Sequence, residues 1–415
     1  MAEEVAPRRA GLFGLPRNVV ALTFVSMLTD VSSEMTLTVL PLFLADVLAV
    51  KTVLIGLIEG VAEATASITR IFSGWLSDRW GKRKGLTIIG YGLSAVSKPF
   101  LLIAGSWVTV LGVRFSDRLG KGVRTAPRDA LLADSTPDGK RGLSFGFHRA
   151  GDTAGAFLGL SAVALIVFLR EPVSRTLTLP VFRLLVLVAI VPAFLAVALL
   201  AGLVAERPIP RKAGPPPSLT LRGFDPWFKR YLLVIIVFTL GNSSDAFLIL
   251  RSRNLGLSIF HVVLVLVLFN LVFTLISVPA GAWSDRVGRR RVILLGWTVY
   301  ALVYLGFGLA RAPWQAWALF AVYGIYHGMA EGAERALVAD LVGPERRGTA
   351  YGLYNTVVGV VALPASVIAG LLWQGVGGWK GFGAPAPFLF GAVMAGLAAL
   401  LFWRWIPAFA GTRRP

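Results

Sequence analysis

The sequence has no cysteine and only three histidines, His148, His261 and His327. The lack of cysteine excludes disulfides, thiolate metal sites and cysteine nucleophiles, and three histidines leave little material for a histidine metal site. The sequence also has no Walker-type loop, no G-x-S-x-G and no H-E-x-x-H, so ATP-driven pumping and hydrolysis lack a residue constellation. We therefore expect neither an enzyme nor a protein with a bound cofactor or metal.

Charged residues are also scarce, at 15% of the 415 positions, against about 25% in an ordinary soluble domain. Hydrophobic residues make up 56% of the chain, and its mean hydropathy is +0.72. A water-facing protein of this length has no room to hide so much apolar surface, which predicts an all-α polytopic membrane protein. A helix crosses a bilayer with about 20 apolar residues, and we locate twelve such stretches. They begin near Val19, Val53, Leu86, Val108, Gly142, Leu184, Tyr231, Ile259, Val292, Trp314, Gly348 and Phe388.

The basic residues are distributed unequally between the two sides that these twelve spans define. With the N-terminus inside, 26 of the 41 Lys and Arg residues fall in the inner segments and 8 in the outer ones. This asymmetry predicts that both termini lie in the cytoplasm. The bacterial style of the loops and the lack of long glycosylatable segments predict an inner (cytoplasmic) membrane. The asymmetry also accounts for most of the formal charge of +19. We therefore expect membrane lipid as a neighbour and no nucleic acid as a partner.

The chain contains an internal repeat. The segment 74–83, GWLSDRWGKR, recurs at 281–290 as GAWSDRVGRR, so Asp78 and Asp285 lie 207 positions apart. A second match pairs Asp134 with Asp340. Between the repeats, 205–230 is rich in proline and basic residues, which is typical of a semi-rigid linker. We therefore predict two pseudo-symmetric six-helix bundles, 1–204 and 231–415, joined by a cytoplasmic linker at 205–230.

Twelve spans in two halves, with a G-x-x-x-D-R-x-G-[RK]-[RK] segment after spans two and eight, resemble the major facilitator superfamily over nearly the whole chain. The resemblance implies that a small molecule binds between the halves. It also implies that the two repeated segments hold the cytoplasmic side shut in the outward-facing state. Alternatively, their basic residues serve only as topology signals. The matching residues are Gly74, Asp78, Arg79, Gly81, Lys82 and Arg83 in the first copy and Gly281, Asp285, Arg286, Gly288, Arg289 and Arg290 in the second.

Span five resembles a further pattern of the superfamily. Gly151, Gly155 and Gly159 recur at intervals of four, like the glycine repeat of antiporters, but Ala156 stands where that motif has proline. Alternatively, these small residues only allow neighbouring helices to pack closely.

Ionisable residues cost about 2.5 to 3.5 kcal/mol each at the centre of a span, so those within the spans should face a cavity, a partner or a pathway. Asp30 and Glu34 are four residues apart and share a helix face, as do Glu59 and Glu63. The candidates for proton coupling, with Glu34 and Asp30 first, are Asp30, Glu34, Glu59, Glu63, Asp152, Asp245 and Glu331. The candidates for substrate binding or charge compensation are Arg114, Arg118, Lys121, Asn242 and His327.

Matching spans of the two halves carry related polar groups. Ser32-Ser33-Glu34 on span one corresponds to Ser243-Ser244-Asp245 on span seven, and the basic part of span four corresponds to an acidic part of span ten. We therefore expect the basic residues of one half to face the acidic residues of the other. Internal pairing with carboxylates of spans one, two and five is the alternative. A cavity of mixed sign suits a polar, zwitterionic or charged substrate.

The sequence thus predicts a monomeric secondary active transporter that works by alternating access and exports a small organic molecule in exchange for protons. An alternative within this class is uptake or exchange of an organic anion clamped by Arg114 and Arg118. From a different class, the chain would be a transport-inactive membrane receptor or scaffold. One fold hosts many substrates, so the identity of the substrate does not follow from the sequence.

Overall fold

A computed structural model of the chain describes residues 15–137, 141–206, 220–342 and 346–406. Within these ranges the protein is helical and has no β-strand. The helices are α1 (Arg17–Leu37), α2 (Leu40–Asp46), α3 (Thr52–Trp80), α4 (Lys84–Ser97), α5 (Trp107–Ser135), α6 (Arg141–Arg170), α7 (Leu179–Leu203), α8 (Pro226–Gly241), α9 (Ala246–Asn254), α10 (Ile259–Val287), α11 (Arg289–Leu309), α12 (Pro313–Asp340), α13 (Arg347–Gln374) and α14 (Ala386–Trp405).

These helices correspond to the twelve predicted spans, and each predicted start lies within five residues of an observed one. Span one comprises α1 and α2, span three comprises α4 and a 3₁₀ segment at Lys98–Ile103, and span seven comprises α8 and α9. Every other span is a single helix. The predicted all-α, twelve-span architecture is therefore confirmed. Most of the predicted linker, 207–219, lies outside the described residues, so the division of the chain into 1–204 and 231–415 stays a prediction.

Ten of the described spans are both long and apolar enough to cross a membrane. The other two, α5 and α12, have the length, at 29 and 28 residues, but a lower hydropathy. Both carry several of the charged residues singled out above. They avoid the cost of exposing these charges to lipid because α5 packs against α3 and α4, and α12 packs against α10 and α11.

Spans one and seven are each interrupted beyond their midpoint, toward the end where α2 and α9 lie. In span one, α1 ends at Leu37, and α2 begins with Pro41 in its first turn, where the missing backbone N–H of proline is tolerated. In span seven, the helix unwinds at 242–245, between α8 and α9. Irregular backbone at membrane depth is stable only where it is buried in protein or lines a cavity. The two breaks therefore indicate where polar groups are needed inside the bundle.

The glycine repeat of span five packs α6 directly against α1. A Cβ added at Gly155 would overlap the backbone of Met27, and one added at Gly159 would lie 2.7 Å from the carbonyl oxygen of Val31. Real Cβ atoms do not approach this closely, so only glycine allows the observed distance between the two helices. The close-packing interpretation of the repeat therefore accounts for the geometry without an antiport motif.

The first half, spans one to six, meets the second half, spans seven to twelve, along α3 and α13. A Cβ added at Gly60 would lie 2.6 Å from the Cα of Leu363, and Gly359 faces Ser67. A second interface runs between α6 and α10. Small residues thus let helices of the two halves approach at van der Waals distance.

We call the end of the bundle where α1 begins and α14 ends the basic end, and the other the opposite end. At the opposite end, the halves are joined by polar contacts. Asp46 at the end of α2 forms an ion pair with Arg253 of α9. Thr52 Oγ1 donates to the carbonyl oxygen of Gly370 at 3.0 Å. In the backbone, the N–H of Ile259 donates to the oxygen of Ser174, also at 3.0 Å. The opposite end is therefore closed in this structure.

At the basic end, the two repeated segments form ion pairs within their own halves. In the first half, Arg83 bridges Asp78, at 3.3 Å, and Asp134. In the second half, Arg289 bridges Asp285 and Asp340, the latter at 3.6 Å.

The arginine used in the second half is not the repeat-related one, because Arg289 corresponds to Lys82 and Arg290 to Arg83. The physical reason is the length of the turn. Residues 81–83 separate α3 from α4, whereas Gly288 alone separates α10 from α11. Gly81 and Gly288 have φ values of 64° and 94°, which favour glycine.

We predict that Gly155→Ala destabilises the protein by about 1 to 3 kcal/mol, because the added methyl group forces α6 away from α1. Gly146→Ala on the same helix is the control, since an added Cβ there meets no atom within 4 Å. Thermal unfolding in detergent measures both variants. A melting temperature of the Gly155 variant equal to that of the control would contradict the close-packing role.

We predict that Asp46→Asn loosens the closure of the opposite end. The chain has no native cysteine, so Ala362→Cys, which lines the central space between the halves, provides a single reporter. In vesicles, a membrane-impermeant maleimide applied from the opposite side should label this cysteine several-fold faster when Asp46→Asn is also present. Lys51→Gln, which removes an exposed charge at the same end, should leave the rate unchanged. Equal labelling in all three proteins would contradict the prediction.

Candidate functional site

A central cavity of about 430 Å³ lies between the two halves, near the middle of the bundle. Its lining comes from spans of both halves and contains the polar residues of both helix breaks. The predicted site residues that line it are Glu34, Glu59, Glu63, Arg114, Arg118, Asn242, Asp245 and His327. Most of the charged residues selected from the sequence therefore meet in one space.

Two ion pairs join α3 to α5 on the wall of the central cavity. Arg114 holds Glu59 with two hydrogen bonds, one of them from Nε to Oε1 at 3.2 Å. One helical turn further, Arg118 Nη1 lies 3.3 Å from Glu63 Oε1. The spacing of four residues on both helices aligns the two pairs, since residues i and i+4 share a helix face. The Arg114–Glu59 pair is bidentate and the Arg118–Glu63 pair is a single contact, and each brings two opposite charges together.

The expectation that Arg114 and Arg118 face acidic residues of the other half is wrong. Both arginines pair within the first half, and the alternative of internal pairing holds for span two. The physical reason is adjacency. The α5 helix packs along α3, and a long arginine side chain reaches a neighbouring helix before it reaches across a cavity.

Glu34 differs from the two paired glutamates. Its side chain lines the central cavity and accepts a hydrogen bond from Thr38 Oγ1 at 3.3 Å. Among the described residues, Glu34 belongs to no ion pair. Glu59 and Glu63, in contrast, pair with Arg114 and Arg118. Glu34 is thus a cavity carboxylate without a fixed counter-ion.

Asp245 occupies the equivalent position in the second half, at the break of span seven. It accepts a hydrogen bond from the hydroxyl of Tyr323 at 3.0 Å. The Tyr323 ring lies edge-on to His327, with 4.7 Å between the ring centroids. The hydroxyl of Tyr300 donates to the backbone oxygen of Gly241, at 3.1 Å, and so supports the end of α8. Among the described residues, Asp245 also belongs to no ion pair. Each half therefore presents one such carboxylate to the cavity.

Four predicted residues do not line the central cavity. Asp30, Lys121 and Asp152 form an electrostatically coupled group where α1, α5 and α6 meet, and His148 Nδ1 lies 3.6 Å from Asp152. The fourth, Glu331, pairs with Arg335 at 3.0 Å and lines a second space.

This second space, which we call the lateral cleft, has a volume of about 870 Å³ and lies between α6, α10 and α12. It adjoins the central cavity, because Asn270 and His327 line both. The residues that define the lateral cleft include Gly146, Arg149, Thr153, Phe157, Asn270, Leu271, Phe273, Ser277, Val278, His327, Glu331 and Arg335.

Three further buried polar residues were not among the candidates selected from the sequence. Lys98 is 3% exposed, and its ammonium donates to Ser32 Oγ at 2.5 Å. Glu334 accepts hydrogen bonds from Trp297 Nε1, at 2.7 Å, and from the hydroxyl of Tyr354, at 2.8 Å. The third is Tyr323. The available signals were a lysine inside an apolar stretch, a glutamate three residues after Glu331, and a tyrosine one turn before His327.

The comparisons with known proteins agree with this architecture. A profile of the Major Facilitator Superfamily matches residues 22–252 and 230–414. An uncharacterized MFS-type transporter of Methanocaldococcus jannaschii is 35% identical over 393 residues, which cover 93% of this chain and 94% of that protein. The class E tetracycline resistance protein of Escherichia coli is 30% identical over 136 residues, or 33% of this chain and 32% of that protein.

Among solved structures, a bacterial homolog of the human lysosomal transporter Spinster, in an inward-facing and occupied conformation, superimposes with a TM-score of 0.77. The match covers 96% of this chain and 98% of that one at 16% identity, which indicates a shared fold. The family profile and the Methanocaldococcus relative both extend over nearly the whole chain. The protein therefore belongs to the major facilitator superfamily and is a multi-pass membrane transporter of the secondary type.

Proposed function

We propose that the protein exports a small polar organic molecule in exchange for protons, with Glu34 as the principal proton carrier. The observation that carries this proposal is the division of the cavity carboxylates. Glu59 and Glu63 are neutralised by arginines, whereas Glu34 and Asp245 have no such partner among the described residues. A carboxylate without a fixed counter-ion is free to gain a proton or to bind a cationic group, but not both at once. This competition couples the movement of protons to the movement of the substrate.

The charge of the cavity supports a cationic or zwitterionic substrate. Four carboxylates and two guanidinium groups line it, a surplus of two negative charges when all are ionised. Such a surplus attracts positive groups and repels anions. The polar groups of the span-seven break, including Asn242, provide hydrogen bonds that orient the substrate.

The direction of transport and the orientation in the membrane belong to the same proposal. We take the basic end to be cytoplasmic, in an inner membrane, because basic loops mark the side that is not translocated. With its opposite end closed, the structure then corresponds to the state that loads substrate from the cytoplasm. Export is further supported by the partial similarity to a tetracycline resistance protein.

One observation favours uptake or exchange of an organic anion as a second candidate. Arg114 Nη1 is buried and has no hydrogen-bond partner among the described residues, although Asp117 Oδ2 lies 3.8 Å from it. A substrate carboxylate could accept from this atom if the Glu59 pair rearranged. In that case Arg114→Lys, which loses the planar fork of donors, should weaken substrate binding far more than it weakens folding.

We predict that Glu34→Gln abolishes substrate-driven proton movement but retains substrate counterflow, because the amide keeps the shape of the side chain and cannot carry a proton. The measurement uses proteoliposomes with an internal pH dye and a panel of metabolites and cationic drugs. Asp245→Asn tests the matching residue of the second half, and Glu171→Gln, outside the cavity, is the control.

Full proton coupling in both Glu34→Gln and Asp245→Asn would contradict the assignment. Transport without proton movement in the wild type would favour anion exchange. Absence of transport for every compound class would favour a receptor or scaffold.

We predict that Glu59→Gln lowers the free energy of unfolding by about 1.5 to 3 kcal/mol, because it removes the charged hydrogen bonds to Glu59 and leaves the buried Arg114 with Asp117, at 3.8 Å, as its ion-pair partner. Arg114 is 2% exposed and Glu59 is 8% exposed. The double variant Glu59→Gln/Arg114→Gln removes both charges and should recover part of this loss. Thermal unfolding in detergent compares four proteins: the wild type, the single variants Glu59→Gln and Arg114→Gln, and the double variant. A double variant at least as unstable as the sum of the two single variants would contradict a neutralising pair.

A further inference from the structure

The lateral cleft is open to the membrane as well as to the central cavity. Phe157, Leu271 and Val278 line it and are 47%, 50% and 79% exposed. Residues that both line a space and reach the protein surface mark its opening. This surface lies on the membrane-spanning helices α6 and α10 and faces the lipid tails. The cleft is therefore a side opening into the hydrocarbon region of the bilayer.

The inner end of the cleft reaches the central cavity at His327. The Nε2 atom of this histidine is buried and has no hydrogen-bond partner among the described residues. The rings of Phe269 and Phe273 lie nearly perpendicular to the His327 ring, with centroid distances of 5.3 and 6.1 Å. The wall between cleft and cavity is therefore largely aromatic.

Two arginines lie toward the other end of the cleft. Arg335 is five residues from the end of α12, or about 8 Å of helical rise from the basic end. His327 is about 20 Å from the same end by the same measure. Arg335 pairs with Glu331 at 3.0 Å, while Arg149 is exposed on the α6 side. Arg70 of α3 also lies within electrostatic range of Arg335. The charges of Arg149, Arg335 and Glu331 sum to +1 on the side of the cleft toward the basic end, and the rest of the lining is largely apolar.

We propose that the lateral cleft is a binding site for an anionic phospholipid from the leaflet at the basic end. Arg149 and Arg335 hold the headgroup phosphate, and one acyl chain fills the cleft along Phe157 and Leu271 as far as His327.

The charge pattern favours this occupant over the transported substrate. The net positive charge on the side of the cleft toward the basic end attracts a phosphate, whereas the central cavity carries a surplus of negative charge that suits a cation or zwitterion. The volume of about 870 Å³ lies within the range of small-molecule sites, roughly 300 to 1,000 Å³. An acyl chain in this position closes the side opening. It thereby separates the polar cavity from the hydrocarbon region while the opposite end is shut.

The test uses Ser277→Cys, a cleft residue in an otherwise cysteine-free chain, labelled with bimane in phosphatidylcholine nanodiscs. The probes are phosphatidylglycerol and phosphatidylcholine, each with a nitroxide on one acyl chain. We expect phosphatidylglycerol to reach half-maximal quenching at about a tenfold lower mole fraction, since two basic residues near the surface contribute to its binding. In Arg149→Gln/Arg335→Gln, the two lipids should quench equally, and Arg149→Lys/Arg335→Lys should restore the preference.

Two controls separate this site from general surface charge. Bimane at Leu302→Cys, a 61% exposed residue of α11, should be quenched equally by both lipids. Arg311→Gln, which removes an exposed charge at the opposite end, should leave the preference at Ser277→Cys unchanged. Equal quenching by both lipids in the parent protein would overturn the proposal, as would a preference that survives Arg149→Gln/Arg335→Gln. The assay needs no proton gradient, so its outcome is independent of the proposed transport.

Discussion

The pairing of Glu59 with Arg114 and of Glu63 with Arg118 is the interaction on which the central cavity depends. Removing four charges from water is costly in a span interior, and the cost is offset only where each charge meets its opposite at close range. Because α3 lies beside α5, this condition is satisfied within the first half. In the proposed function, these four groups neutralise one another, and Glu34 and Asp245 are the carboxylates that respond to protons and substrate.

A second constraint is the contact between the two halves. They meet through small residues along α3 and α13, through polar contacts at the opposite end, such as Asp46 with Arg253, and through a hydrophobic core that includes residues of both halves. At the basic end, Asp78 and Asp285 pair within their own halves. The family resemblance implies that the two repeated segments hold the cytoplasmic side shut in the outward-facing state. The pairs within each half therefore correspond to a different state.

Much of the candidate site could be predicted, because a charge inside a bilayer is rare enough to be conspicuous. That logic selected Glu34, Asp245 and the residues of the α3–α5 pairs, and all of them line the central cavity. It could not select Tyr323, since a tyrosine in an apolar span resembles any other aromatic residue until a carboxylate is found beside it. It also gave Asp30 the same weight as Glu34, although the two residues face different neighbours.

The sequence by itself determined the number of spans, their starts to within five residues, and the two repeated segments, because hydropathy and motif spacing are local properties of the chain. Only the tertiary structure decided which charges are paired, that Arg289 rather than Arg290 bridges Asp285 and Asp340, and that a cleft opens between α6, α10 and α12. These features depend on which helices are neighbours and on how the turn between two consecutive helices orients each helix about its own axis. Residues 55 positions apart, such as Glu59 and Arg114, become partners only when the helices pack.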